Sequence, residues 1–377
     1  MKHILTLSLF LAFSTKIIVA QPTEFTDFEN FTSGSNFTQA SWATAGFSVP
    51  WVNGFDVNRG IIDNTYFKSG SNSLRIFYPK DKYGTANTGA QAPLMVPGLN
   101  EYFMSYNVRF SDNFSWGSTS EGGKLPGLGG GARCSGCQVC TGSNGFTARL
   151  MWRTGGKTVI YLYHLDKVNP PCGDNYEIMV GGKNLVFQKG VWYKISQRVK
   201  VNSTTNHDGE VEMWINDQHA QIKLYNGTLV DKLSGIQFVS NGDKVDALYF
   251  STFHGGGDAS WNSTTDCYTW FDDIVISTKQ SDVVSTTTVL EDFEMNNRIA
   301  EIFPQPLKVG KEASVPNTLP NSTIEWIDMK GNVVAKTQVS SEKKITTPIL
   351  PSGTYILKYL QNNSFSSLKV IVDSDNR

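Results

Sequence analysis

Two short runs of alternating residues around a glycine turn are the feature that most strongly limits this chain to an antiparallel β-architecture. The first run is Phe146–Arg153 and the second is Thr158–Tyr163, and each has an apolar face and a face with Arg, Thr or Tyr. Residues 154–157 between them (Thr-Gly-Gly-Lys) include two residues that tolerate positive φ. The stretch therefore predicts a β-hairpin, and it is preceded by Lys124 within the glycine-rich residues 122–131.

The register of this hairpin decides whether its polar side chains meet. A loop of two or four residues pairs Arg149 with Leu162 and puts Arg149 and the tyrosines on opposite faces. An odd loop, or one bulge, pairs Arg149 with Tyr161 or Tyr163 instead. We predict the odd register, because a three-residue loop with glycine in the left-handed region is common.

Similar short runs, separated by Gly, Asn, Asp and Ser turns, continue along the first two thirds of the chain without a long amphipathic helix. This pattern is typical of an all-β sandwich or jelly roll, and about 250 residues can form one such domain. We predict a β-jelly roll (a concanavalin-like sandwich) over residues 21–280, a Ser/Thr/Val-rich linker over residues 281–300 and a small C-terminal β-sandwich over residues 301–377.

The first 20 residues predict a signal peptide. Lys2 and His3 precede an apolar run that is too short to span a bilayer, and Val19-Ala20 precedes a plausible cleavage point. No other stretch is apolar enough to cross a membrane, so we expect no membrane span after signal removal. The net charge of −1 gives no support for a nucleic-acid partner.

The chain has five cysteines, which are Cys134, Cys137, Cys140, Cys172 and Cys267. The first three have a spacing that is similar to cluster or zinc sites, but no second pair follows. An exported protein can keep disulfides, so a disulfide-stapled loop is the better interpretation. The connectivity stays open, and the odd count leaves at least one thiol unpaired.

Lys124, Arg149, Tyr161 and Tyr163 together are suited to removing a proton next to a carboxylate. A guanidinium can bind a carboxylate with two hydrogen bonds, and cationic neighbours favour the ionised phenol, so tyrosine pKa values are expected to fall. Singly, each has an ordinary interpretation: an exposed lysine, a cross-strand ion pair, and strand aromatics. Their combination on one face favours a functional site.

Residues 122–163, with residues 251–256 and 268–273, resemble polysaccharide lyase family 14, which contains alginate and glucuronan lyases on a β-jelly-roll fold. The resemblance covers most of residues 21–277 and is most specific in Gly-Gly-Lys-Leu-Pro-Gly-Leu and Arg-x-Met-Trp-Arg. It assigns the family's functional lysine to Lys124, its arginine to Arg149 and its alternating tyrosines to Tyr161 and Tyr163. A serine of family members is Thr147 here.

The resemblance implies a secreted lyase that cleaves a 1,4-linked polyuronate, alginate first and glucuronan next, by β-elimination to unsaturated uronate ends. The cations would neutralise the sugar carboxylate, a tyrosinate would take the C5 proton, and a tyrosine or Lys124 would protonate the O4 oxygen. Base and acid are not assigned individually. Thr147 and Arg153 are predicted to bind substrate, and so is His254, which is equally interpretable as a structural loop histidine.

No cofactor is required for this chemistry. Glu29 and Asp273 are candidate ligands for a structural Ca²⁺, because terminal strands often pair in jelly rolls. The alternative is that they are ordinary turn and edge carboxylates.

The C-terminal segment resembles the sorting domain of proteins exported by the bacterial type IX secretion system. The resemblance covers residues 302–372 and rests on Pro304-Gln305-Pro306, on an Asp-x-x-Gly turn at residues 328–331 and on Leu-Pro-x-Gly-x-Tyr at residues 350–355. It implies that the type IX machinery is a partner and that a Gram-negative bacterium exports the chain to its surface or medium.

Two other classes of function remain open. A noncatalytic carbohydrate-binding jelly roll would use the abundant Trp and Tyr for stacking on sugars. A glycoside hydrolase would need two carboxylates across a cleft, and Glu210 and Glu212 are the closely spaced strand glutamates of the first domain. Endo or exo action and the preference among mannuronate, guluronate and glucuronate also stay open.

Overall fold

The computed structural model describes residues 23–168, 170, 172–285, 306–315, 320–328, 331–361 and 364–374. The chain divides into two compact units, residues 1–285 (unit 1) and residues 286–377 (unit 2). The predicted signal peptide and most of the predicted linker lie outside the described residues. Within the described part, no helix combines the length and the apolar character needed to cross a membrane.

Unit 1 is a sandwich of two sheets whose strands pair antiparallel, as the short alternating runs predict. Its strands are β1 (Thr23–Thr26), β2 (Gly60–Asp63), β3 (Ser73–Tyr78), β4 (Ala90–Leu99), β5 (Glu101–Phe110), β6 (Gly122–Gly130), β7 (Phe146–Arg153), β8 (Thr158–Tyr163), β9 (Asp174–Val180), β10 (Lys183–Asn184), β11 (Trp192–Lys200), β12 (Gly209–Ile215), β13 (Gln218–His219), β14 (Gln221–Lys223), β15 (Leu229–Val230), β16 (Leu233–Ile236), β17 (Val245–His254) and β18 (Cys267–Ser277). Its helices are α1 (Gln39–Thr44) and the 3₁₀ turns Phe55–Val57, Thr154–Gly156, Ala259–Trp261 and Gln280–Asp282.

The front sheet has the strand order β15-β14-β9-β8-β7-β6-β17-β4, with β10 paired to β9. The back sheet has the order β13-β12-β11-β5-β18-β3-β2, with β1 paired to β18 and β16 paired to β12. Alternate residues of the front strands, such as Leu125, Leu150 and Ile160, are buried in the core. Gln197 of the back sheet also reaches the front sheet, where it accepts from the Leu128 amide and donates to the Ala148 carbonyl.

The β7–β8 hairpin has the predicted odd register. Arg149 pairs with Tyr161, Thr147 pairs with Tyr163, and a three-residue loop, residues 154–156, joins the strands. Gly155 and Gly156 have φ values of 65° and 88°. Because these values lie in the left-handed region, the glycine turn sets the face on which Arg149 and the tyrosines project.

The glycine-rich segment is strand β6 rather than a loop around a ligand. A Cβ at Gly123 would lie 1.9 Å from the Trp152 ring, and one at Gly127 would lie 2.1 Å from the Ala148 carbonyl oxygen. The glycines therefore allow β6 to pack closely against β7. The pairing register of β6 with β7 shifts between Leu125 and Gly127, which indicates a β-bulge at Pro126.

Unit 2 is a small β-structure with its own core around Trp326, Leu357 and Val370. Its strands are β19 (Leu307–Lys308), β20 (Glu312–Ser314), β21 (Thr323–Ile327), β22 (Val333–Gln338), β23 (Lys344–Thr346), β24 (Gly353–Gln361) and β25 (Ser364–Asp373). A sheet of order β19-β25-β24-β21-β22 accompanies the pair β20-β23. The Asp-x-x-Gly turn joins β21 to β22, and Gly331 donates to the Asp328 carbonyl with φ 90°.

Candidate active site

A cleft of about 720 Å³ lies over the front sheet, where β6, β7, β8 and β17 run side by side. All four predicted catalytic side chains line it, namely Lys124, Arg149, Tyr161 and Tyr163. Other lining residues come from β4, β7, β9 and β17, from the cysteine-rich loop, from Cys172 before β9 and from the segment after β17; they include Gln91, Cys137, Met151, Arg153, Cys172, Asn175, Tyr249 and Trp261. The odd register thus brings together the residues that the hairpin was expected to gather.

Lys124 is a buried amine among cations and aromatic rings. Its Nζ lies 2.7 Å from Met151 Sδ and 3.9 Å from the centre of the Tyr161 ring, and the residue is 8% exposed. Burial, followed by the charges of Arg149 and Arg153, holds the pKa of Lys124 well below its usual value. Burial therefore makes the neutral amine easier to form than in an exposed lysine, and a neutral amine can accept a proton.

Arg149 is held by a polar network from β4 and β17. Its Nη1 donates to Ser251 Oγ at 3.0 Å, and Gln91 Nε2 donates to Ser251 Oγ at 2.8 Å and to Tyr249 Oη at 3.0 Å. The Arg149 Nε is buried without a hydrogen-bond partner in the described structure. The guanidinium therefore keeps donor capacity for a ligand carboxylate.

The two phenols touch each other and each accepts a backbone N–H. Tyr161 Oη lies 3.2 Å from Tyr163 Oη; the Cys137 amide donates to Tyr163 Oη at 2.7 Å, and the Gly173 amide donates to Tyr161 Oη at 3.3 Å. Burial raises the pKa of Tyr163, and Tyr161 adds to this, against the opposite effects of the Cys137 N–H and Arg149. The expectation of a lowered pKa was wrong for Tyr163, because desolvation outweighs the nearby cations.

The cleft is cationic without acidic residues of its own. No Asp or Glu is among its described lining residues, and in the described part of the chain no carboxylate forms an ion pair with Lys124, Arg149 or Arg153. Buried charges are normally paired. This cluster therefore calls for an anionic ligand to complete it.

The three predicted substrate-binding residues have different positions. Arg153 lines the cleft, donates from Nη2 to Asn175 Oδ1 and lies 5.6 Å from the centre of the Tyr161 ring. Thr147 is buried and donates its hydroxyl to the Cys134 carbonyl at 3.1 Å, so it supports the loop rather than the cleft surface. Arg153 and Thr147 lie on the same face of β7 as Arg149.

His254 lies beneath the cleft and not on its surface. It is 0% exposed and packs against the rings of Tyr78, Phe114 and Trp152. Burial lowers the pKa of His254 to about 3. The structure therefore agrees with the structural interpretation of this histidine and does not bring it to the cleft.

Glu29 and Asp273 are the candidate calcium ligands, and both are occupied by protein donors. Glu29 accepts from Ser71 and from the Asn72 amide, and Asp273 accepts from the Ser69 hydroxyl and from Asn107 Nδ2. Among the described residues, no group of three or more His, Cys, Asp and Glu side chains is arranged to hold a metal ion.

The cysteine-rich loop contains disulfides, as predicted. Cys134 is bonded to Cys140 and Cys137 is bonded to Cys172, which leaves Cys267 as a buried free thiol. The sequence left this connectivity open, because Cys172 comes close to the loop only through the pairing of β8 with β9.

Several residues of the cleft were not found by sequence reasoning. Gln91 and Asn175 come from β4 and β9, which no local pattern brings next to the hairpin. Ser251 and Tyr249 alternate on β17, so the period-2 pattern of that strand was the available signal. Met151 is two residues from Arg149 on β7 and also lines the cleft, but it was not chosen as a site residue.

The glutamates considered for a hydrolase lie on the other sheet. Glu210 and Glu212 belong to β12 of the back sheet and both pair with Arg198. Hydrolysis by paired carboxylates therefore has no support in the front cleft.

Family comparisons match both units. Residues 67–274 match the model of polysaccharide lyase 14, and residues 301–373 match the model of the secretion system C-terminal sorting domain. The second match confirms the predicted sorting domain and with it export by the type IX system. No curated protein shows a significant match to the chain.

Solved structures similar to this chain include alginate lyases. Alginate lyase Aly36B is 24% identical over 68% of this chain and 97% of its own, with a TM-score of 0.54. A double mutant of that enzyme in complex with an alginate trisaccharide is 25% identical over 68% of this chain and 98% of its own, with a TM-score of 0.53. The marine PL-14 alginate lyase from Aplysia kurodai is 25% identical over 67% of this chain and 98% of its own, with a TM-score of 0.52. These similarities confirm the predicted jelly-roll fold of unit 1.

Proposed function

The chain belongs to polysaccharide lyase family 14, and we propose that it cleaves a 1,4-linked polyuronate, alginate first and glucuronan next, by β-elimination. The observation that carries the proposal is the pair of guanidiniums of Arg149 and Arg153, beside the Lys124 amine and two phenols, in a cleft whose described lining residues include no carboxylate. A polymer of sugar acids supplies the missing negative charge. The alginate trisaccharide complex of a similar structure supports the same substrate class.

Arg149 is proposed to neutralise the carboxylate of the sugar whose C5 proton is removed. A carboxylate beside C5 makes that proton only weakly acidic, because removal of the proton adds negative charge next to an existing one. The planar guanidinium, oriented by Ser251, can bind that carboxylate and stabilise the enolate-like intermediate as its charge develops. Arg153 is proposed to bind an adjacent part of the chain from the same face.

Lys124 is proposed to be the base and Tyr163 the acid, which replaces the expectation of a tyrosinate base. Their environments displace the two pKa values in opposite directions, which favours the neutral amine as a proton acceptor and the neutral phenol as a proton donor. The C5 proton moves to Lys124 Nζ, the C4–O4 bond breaks as C4=C5 forms, and the Tyr163 proton moves to O4. Tyr161 bonds to Tyr163 and supports its position.

The test is product analysis on defined substrates. Purified protein is incubated with alginate and with glucuronan, and the ultraviolet absorbance of the unsaturated uronate end is followed. Mass spectrometry must show chain cleavage without addition of water. Binding without product would instead favour the noncatalytic carbohydrate-binding alternative, and absence of both on every polyuronate would refute the proposal.

A further inference from the structure

The cysteine-rich loop reaches both phenols of the site through backbone donors. The Cys137 amide donates to Tyr163, and the Gly173 amide donates to Tyr161. Cys137 is disulfide-bonded to Cys172, the residue that precedes Gly173. One covalent bond therefore joins the two chain segments that supply these donors.

The two disulfides of the loop differ in reach and in exposure. Cys134–Cys140 is buried and closes a short stretch of the loop, with a sequence separation of 6. Cys137–Cys172 has a sequence separation of 35, lines the cleft and has one exposed partner, Cys137. A thiol reagent in solution should therefore reach the Cys137–Cys172 bond first.

We propose that the Cys137–Cys172 disulfide is a positioning device for proton transfer, which holds two backbone N–H groups against the hydroxyls of Tyr163 and Tyr161. This inference rests on the proposed function. As Tyr163 gives its proton to the leaving oxygen, negative charge develops on its Oη. A preorganised N–H donor at 2.7 Å stabilises that charge without reorganisation at the moment of reaction.

A second contact ties the loop to the same ring. Lys167 Nζ donates to the Gln138 carbonyl at 2.7 Å and lies 4.7 Å from the centre of the Tyr163 ring. The Lys167 hydrogen bond is noncovalent and water can replace it, whereas the disulfide is covalent, so the disulfide is the stronger determinant of loop position. Because disulfides persist in oxidising compartments, full turnover is gained only after export from the reducing cytoplasm.

The experiment compares two double variants of the full-length chain. Cys137→Ser with Cys172→Ser removes the proposed device, and Cys134→Ser with Cys140→Ser is the matched control in the same loop. We expect kcat on alginate to fall by about 100-fold in the first, with KM within about threefold, and by less than about tenfold in the control. Circular dichroism and thermal unfolding establish that the compared samples are folded.

A more acidic phenol separates positioning from mere structural support. Tyr163→3,5-difluorotyrosine in the Cys137→Ser, Cys172→Ser background should restore kcat by about tenfold, because the phenolate then needs less stabilisation. The same substitution with the disulfide intact should change kcat much less. Equal effects in both backgrounds, or a kcat loss that only follows the unfolded fraction, would overturn the inference.

A readout without substrate keeps this inference separate from the proposed function. The difluorotyrosine at position 163 is titrated by fluorine NMR with and without the disulfide, and its pKa should be higher when the disulfide is absent, since an N–H donor to the phenolate is lost. An unchanged pKa refutes the positioning role. Wild-type protein that forms no unsaturated product refutes the proposed function instead.

Discussion

Replacing Lys124 with methionine should stabilise unit 1 while it removes turnover. Lys124 is 8% exposed, feels the charges of Arg149 and Arg153, and has no carboxylate partner among the described residues. Methionine has nearly the same length and suits an apolar site beside Met151. Removal of this buried amine, whose described hydrogen-bond acceptor is only the weak thioether of Met151, is expected to add about 1–3 kcal/mol to the free energy of unfolding near neutral pH.

The pH dependence gives the sharper signature. The folded-state pKa of Lys124 lies well below the usual 10.5, so between those two values the unfolded chain binds one more proton than the folded chain. Wild-type stability therefore falls as pH falls through this window, by at most about 1.4 kcal/mol per pH unit, and Lys124→Met lacks this slope. The difference in free energy of unfolding between Lys124→Met and wild type should therefore grow as pH falls through this window.

Urea unfolding at a series of pH values measures both effects, and the ultraviolet assay on alginate measures turnover. The variant should lose about 10²- to 10⁴-fold in kcat, the usual contribution of a general base. Lys183→Met is the matched control, because it removes an exposed ammonium of β10. A Lys124→Met variant that is less stable than wild type, or whose gain in stability is the same at every pH, would refute the assignment of a desolvated amine with a lowered pKa.

Three further substitutions test other parts of the site and core. Arg149→Lys keeps the charge but loses the planar fork, so kcat/KM on alginate should fall by about 100-fold; a fall of less than threefold would contradict the role of the fork. His254→Phe should retain turnover and lose less stability than wild type at acid pH. Burial holds the His254 pKa at about 3, so the wild type loses stability as pH falls from about 6.5 toward 3. Thermal unfolding of both proteins at about pH 7 and pH 4 measures this difference. Trp152→Ala should lower the free energy of unfolding by about 3–5 kcal/mol in urea titrations, since a fully buried indole that donates to the Trp116 carbonyl is lost; a change below about 1 kcal/mol would contradict its place in the core.

The sequence predicted the part of the site that one hairpin contains. Alternation along β7 and β8, with a glycine turn of odd length, was enough to put Arg149 beside Tyr161. The position of Lys124 on a neighbouring strand followed from the family resemblance, since no local rule pairs β6 with β7 across the intervening cysteine-rich loop.

What depends on long-range pairing or on dielectric environment could not be predicted. Ser251 reaches Arg149, and Gln91 reaches Ser251, only because β17 and β4 lie side by side at one end of the front sheet. The direction of the Tyr163 pKa shift depends on how completely the ring is desolvated, which counting nearby cations does not reveal. The position of His254 beneath the cleft likewise follows from an aromatic cluster assembled by both sheets.

Chemical rescue of Lys124→Ala by small primary amines tests the central assignment most directly. The missing side chain leaves space in the cleft for an amine, which can take the C5 proton in its place. The account predicts that the unsaturated product reappears on alginate, with a rate that rises with amine concentration and with amine basicity, and that Tyr163→Phe is not rescued. Absence of rescue in a folded variant that still binds alginate, or equal rescue of both variants, would contradict Lys124 as the base.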